Sequence, residues 1–181
     1  MKLRTLMLAG GLALGACAST PTVKFDADPS ADFAAYHSYS WAYSAAPRGM
    51  NPLLYDRVKG SIDRALAARG YTQSALGEFA VGFTLGRRDR VEVTNFGAYG
   101  AGYRGWGGWG WGGYHSYNNY DVRNVTDGTL MIDIYDTATK KPVWNGTATQ
   151  EVSDKGADQA LIDGAVTAVL ANFPPPPPKT K

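Results

Sequence analysis

"DGTLMIDIYDTATKKPVWNGTATQEV", Asp127–Val152, is the stretch from which the fold is read. Leu130, Ile132 and Ile134 alternate with other residues, and a period of two places them on one face of a strand. "DTATKKP", Asp136–Pro142, is a polar hairpin connection, with Asp136 suited to start the turn. Val143–Val152 then returns antiparallel, carrying Trp144. Asp127-Gly128 ahead of the first strand is a turn or bulge signal. A hairpin with one apolar face needs a cover, and the flanking sequence supplies it.

Downstream, Ser153 or Asp154 is placed to cap a helix whose stripe is Leu161, Ile162, Ala165, Val166, Val169, Leu170 and Phe173. Five prolines follow, Pro174–Pro178, and residues 174–181 read as an extended polyproline tail. Upstream, Phe79, Val81, Phe83 and Leu85 alternate on another strand. Arg87, Arg88 and Arg90, interrupted by Asp89, read as its solvated end. Val91–Thr94 continues extended, and Tyr120–Val125 resumes as strand.

Asn51-Pro52 opens a first helix, Asn as cap and Pro at the first helical position. Its stripe is Leu54, Val58, Ile62, Ala65 and Leu66, and Gly70 ends it in a left-handed conformation. Before it, Tyr39, Trp41 and Tyr43 share one face of a strand. Earlier still, Val23 and Phe25 mark a short first strand, closed by the turn Asp28-Pro29-Ser30. The order strand, strand, helix, strands, helix predicts an α+β fold: a mainly antiparallel sheet with two helices packed on one face.

The N-terminus has its own signature. Lys2 and Arg4, an apolar run and small residues give the order of a secretory signal peptide over residues 1–16. The run is far short of the ~20 residues a membrane-spanning helix needs. Leu14-Gly15-Ala16-Cys17 resembles the bacterial lipobox, which implies cleavage before Cys17 and lipidation of its thiol. Residues 17–22 then form a lipidated linker, and residues 23–173 the domain. Cys17 is the chain's single cysteine, so no disulfide framework is available. Ala18, not Asp, follows it; by the same resemblance this points to the outer membrane, with the domain facing the periplasm. The chain holds 18 Lys and Arg against 16 Asp and Glu. Removing Lys2 and Arg4 leaves 16 of each, a neutral domain with no electrostatic case for nucleic acid.

Three stretches carry a family resemblance: "VKFDADPSADFAAYHSYSW", "ALAARGYTQSALGEFAVGF" and "DGTLMIDIYDTATKKPVWNGTAT". The first joins an Asp-containing extended segment to an aromatic strand ending in Trp. The second joins a helix end and Gly-Tyr pair to an apolar strand. The third has Gly-Thr-Leu, an apolar strand ending in Asp, a polar turn and Trp-x-Gly. Together they resemble DUF4136, a domain of unknown function found mostly in bacterial lipoproteins. The resemblance implies fold and location and transfers no catalytic residue.

The chemistry-bearing residues are few. His37 and His115 belong to no Cys/His/carboxylate spacing of a zinc site. Asp133 and Asp136, three apart on a strand, point to opposite faces and cannot share one acid–base site. Asp26 and Asp28 share strand parity, but the turn at Pro29 accounts for Asp28. Ser38 neighbours His37 and faces the other side of the strand. No nucleophile elbow or phosphate loop is present, and no cofactor, metal or catalytic residue is expected.

"GYRGWGGWGWGGYHSYNNY", Gly102–Tyr120, holds three of the five Trp. Its Gly content makes a regular core there costly to order. Residues 97–119 read plainly as a long flexible hairpin loop. Alternatively, Tyr103, Trp106, Trp109, Trp111, Tyr114 and Tyr117 are a candidate contact surface for glycan, lipid headgroups or an envelope protein. The sequence thus predicts a membrane-anchored, non-catalytic envelope lipoprotein with a structural or interaction role. A glycan- or lipid-headgroup-binding module is the alternative, and a cryptic hydrolase a distant third.

Overall fold

The protein is described by a computed structural model over residues 20–95, 120–153 and 156–176. The elements run β1 (Thr22–Ala27), a 3₁₀ turn (Phe33–Ala35), β2 (Ser38–Trp41), α1 (Pro52–Ala67), β3 (Thr72–Gln73), β4 (Phe79–Asn95), β5 (Tyr120–Asp136), β6 (Pro142–Val152) and α2 (Gln159–Leu170). One six-stranded sheet has the order β1-β6-β5-β4-β2-β3. The class is α+β, as expected. The sheet is mixed, however: β1, β6, β5 and β4 pair antiparallel, while β2 runs parallel to both β4 and β3. The cause is α1, which lies between β2 and β4 and carries the chain back to start β4 in the same direction.

The sheet's inner face is the alternation read from the sequence. Phe79, Val81 and Phe83 of β4 lie opposite Asp136, Ile134 and Ile132 of β5, and Ile134 and Ile132 in turn meet Trp144 and Gly146 of β6. Ile132, Ile134, Phe79 and Val81 have no exposed surface. Burying each such side chain contributes roughly 1.5–3 kcal/mol. Val58, Ile62 and Leu66 of α1 and Val166, Val169 and Leu170 of α2 cover this face. Phe173, just past α2, fastens the middle: its ring lies 5.4–6.0 Å from those of Trp144, Phe79, Tyr71 and Phe33. Tyr55, one position off the α1 stripe, stacks on Phe83 at 5.1 Å.

The caps follow the sequence in one helix and depart from it in the other. Asn51 accepts from the amides of Leu53 and Leu54, with Pro52 at the first helical position. Gly70 closes α1 at φ +88°. For α2 the cap is Asp158, accepting from the Leu161 amide, in place of Ser153 or Asp154. Asp154 lies outside the described residues. Ser153 instead donates to the Gly156 carbonyl in the turn before the helix.

Asp127-Gly128 is neither a turn nor a bulge; both residues sit in an unbroken ladder between β4 and β6. Gly128 is needed for closeness: a Cβ there would come within 2.7 Å of Val152 Cγ1. The register shift of β5 falls at Ile134/Tyr135, where the hairpin turn begins. Tyr43 lies past the end of β2 and is exposed, so only Tyr39 and Trp41 share the inner face. Beyond β6, β4 and β5 continue as a two-stranded ribbon paired as far as Asn95 and Tyr120. Pro174–Pro176 lie beside the turn at Ala27–Ala34.

Candidate functional site

The largest polar groupings of the described residues join elements together. Asp63 of α1 accepts from Tyr39 Oη at 2.7 Å, Trp41 Nε1 at 3.0 Å and Lys59 Nζ at 3.0 Å. Lys59 also sits 4.7 Å above the Trp41 ring. The cluster ties α1 to β2, and burial first, then the bond to Asp63, pushes the Tyr39 phenol up. Asp163 of α2 accepts from Ser61, Arg64 and Gln159 and holds the two helices side by side. The Ser61 hydroxyl is the main cause of its lowered pKa.

Glu78 accepts from the His37 amide and from the Ser38 amide and hydroxyl. The His37 and Ser38 amides hold this carboxylate below its ordinary range. The Ser38 hydroxyl thus joins the two amides in holding the Glu78 carboxylate at the start of β2. Asp136 accepts from the Thr139 amide and hydroxyl in the hairpin turn, and from Tyr36 Oη at 3.1 Å. Burial, reinforced by Asp136, pushes the Tyr36 phenol up to about 12. Asp133 accepts from Asn145 across the β5–β6 pair. The two carboxylates thus have separate partners, as their strand parity requires. Among the described residues no three His, Cys, Asp or Glu side chains gather into a metal-holding group.

What stands open is apolar. A cleft of about 260 Å³ lies between the N-terminal halves of α1 and α2 and the sheet. Leu54 and Val58 form one wall, Leu161, Ile162 and Ala165 the other, and Leu85, Leu130 and Ala148 the floor. The stripes predict these positions as core, and most are. Small residues leave the cleft unfilled: Ala148 of β6, Gly156 and Ala157 before α2, and Ala165 within α2 are too short to close the space between the helices and the sheet. These residues come from separate segments of the chain, so no local pattern in the sequence reveals the cleft.

The rim polar side chains Gln150 and Arg87 each have a partner. Gln150 donates to the Leu161 carbonyl at 3.2 Å. Arg87 donates to Thr126 Oγ1 at 3.5 Å and lies 3.8 Å from the Asp89 carboxylate. Thr126 in turn donates to Asp89 at 2.6 Å. The basic run is locally compensated, but it is not the strand end its sequence suggests: it lies in the middle of β4, paired with Val125–Gly128 of β5, because the ladder continues to Asn95. Cys17 and the candidate contact residues Tyr103, Trp106, Trp109, Trp111, Tyr114 and Tyr117, with His115, lie outside the described residues. No helix among the described residues is long and apolar enough to cross a membrane.

A family model described as "Domain of unknown function (DUF4136)" matches residues 23–175. No curated protein matches the chain. Among solved structures, a PDZ domain protein from Parabacteroides distasonis is similar at TM-score 0.56 and 12% identity, over 85% of this chain and 35% of that one. The chain therefore spans about a third of that protein's length. A DUF4136 family protein from Bacteroides thetaiotaomicron is similar at TM-score 0.51 and 15% identity, over 87% and 97% of the two chains. A PelC dodecamer from Paraburkholderia phytofirmans matches at TM-score 0.48 and 12% identity, over 83% and 96%. At such identities the first two likenesses speak to the fold alone.

Proposed function

The chain belongs to the DUF4136 family, and from that premise we propose that it is a lipid-anchored lipoprotein of the outer membrane, facing the periplasm and acting by binding. Its role is that of an envelope structural or interaction component, without catalysis of its own. The observation that carries the binding role is the apolar cleft: a hollow lined by carbon, with its rim polar groups already paired, suits an apolar ligand or partner segment. Leu14-Gly15-Ala16-Cys17 supports the anchor.

Crosslinking in intact envelopes followed by affinity capture tests this reading. A dominant protein partner that is lost on Leu161→Trp, a change at the cleft wall, is the expected result. Capture that ignores that substitution moves the contact elsewhere. Cys17→Ser should leave an unprocessed or soluble form, and mass spectrometry of the mature N-terminus reads the modification directly.

A second reading has one observation in its favour. The paired ribbon of β4 and β5 extends past β6 to Asn95 and Tyr120, so the Gly/Trp/Tyr segment joins the domain at a ribbon end. Glycan or lipid-headgroup binding through Trp106, Trp109 and Trp111 would then be independent of the cleft. Capture of muropeptide or lipopolysaccharide, abolished by the triple Trp→Ala variant, separates the two.

A further inference from the structure

The cleft and the start of the domain are at the same end of the sheet. On the cleft floor Leu130 lies between Leu85 and Ala148, and Ala148 pairs with Val23 of β1. β1 therefore begins level with the cleft, one strand beyond the floor residue Ala148 of β6. Neighbouring strands are ~4.8 Å apart. From Thr22 back to Cys17 is five residues, and five extended residues reach at most ~17 Å. Whatever is attached to Cys17 is held within that radius of the start of β1.

We propose that the cleft lodges one acyl chain of the protein's own N-terminal lipid. The inference rests on the reading of Cys17 as lipidated and adds where that lipid goes. Three features select this occupant. The tether is attached beside the cleft and reaches at most ~17 Å, so the chain's effective concentration there is high. Among the described residues the lining carries one cation, Arg87, turned to Thr126 and Asp89, and one side-chain amide, Gln150, bonded to the Leu161 carbonyl; the rest is mainly carbon, which suits a neutral hydrocarbon. The size is also apt. An apolar cavity of about 150 Å³ holds one benzene, and drug-sized ligands take roughly 300–1,000 Å³, so 260 Å³ suits a single slender chain.

The test uses the full chain, expressed with its leader in bacteria fed a diazirine-bearing fatty acid. The mature protein is placed in vesicles of phosphatidylethanolamine and phosphatidylglycerol and irradiated, and its crosslinked peptides are mapped. Crosslinks concentrated on Leu54, Leu130, Ala148 and Leu161 are expected. Leu161→Trp, which narrows the cleft, should lower their yield about tenfold, the loss of roughly two methylenes' worth of burial. Should that variant fail to unfold cooperatively, Leu54→Trp on the opposite wall provides the same reading. An acylated Cys17 whose crosslinks fall only on lipid or outside the cleft overturns the inference and leaves the anchor standing. So does a yield unchanged by a folded narrowing variant. An N-terminal peptide with unmodified Cys17 overturns both.

Discussion

Gly146 lies under the indole of Trp144: a Cβ on Gly146 would come within 2.9 Å of Trp144 Cζ2 and 2.7 Å of Val169 Cγ1. The two residues share one face of β6, two positions apart, and Trp144 folds over the gap toward α2, where its Nε1 donates to the Asn172 carbonyl at 3.2 Å. The Trp-x-Gly pattern is thus one packing unit, a large ring and the hole it fills. Gly146→Ala should destabilise by about 1–3 kcal/mol through overpacking. Urea unfolding measures it, and an unchanged midpoint would show that the ring has another place to go.

The core reading makes its own demand. Ile132 and Val166 are fully buried on opposite sides of the sheet–helix interface. Ile132→Ala and Val166→Ala should each cost about 1–4 kcal/mol, as deletions in a packed interior do. Midpoints unmoved by both changes would mean that these faces are not packed together.

Acid should weaken the β5–β6 turn. The Thr139 amide and hydroxyl, with Tyr36 adding to them, hold the Asp136 carboxyl below its ordinary value. A carboxylate depressed in the folded state contributes stability that is present above its unfolded pKa of about 4 and is lost as pH falls through the folded value. Stability measured from pH 5 downward should therefore fall less steeply in Asp136→Asn than in the parent. Parallel curves would remove Asp136 from the account.

The ribbon offers a test of independence. Replacing Ala101–Asn118 by a short Gly/Ser turn should preserve the fold, with stability changed by about 1 kcal/mol or less, because closure entropy varies slowly with loop length. Cooperative thermal unfolding of the shortened chain is the expected record. Collapse of the domain would mean that the aromatic segment belongs to the core.

Side-chain periodicity carried the reading well where one face alone is buried. The alternations at Phe79–Phe83 and Leu130–Ile134, the α2 stripe and the Asn51-Pro52 start are all local patterns with a local cause. Strand direction has no such signature. Tyr39 and Trp41 look alike whether β2 runs with β4 or against it, and the signal that decides it is the intervening helix. Gly128 illustrates another limit: Asp-Gly signals a turn locally, whereas here the neighbouring Val152 requires the missing side chain. Asp158 caps α2 in place of Ser153 because Ser153 is already engaged with Gly156 ahead of the helix. The cleft was illegible for a third reason: it is a gap between elements, left where small residues from separate segments meet.

The pairing of β1 with β6 governs the order in which the sheet can be completed. Thr22 meets Thr149, 149 − 22 = 127 residues further along, so the first strand made is the one whose partner arrives last. Contacts this distant in sequence form slowly, since a long loop must close before any bond is gained. A chain delivered N-terminus first through a secretion channel would carry β1 unpaired until β6 had followed it through. Its alternating Lys24 and Asp26 are the kind of edge charges that keep such a waiting strand from pairing with a stranger.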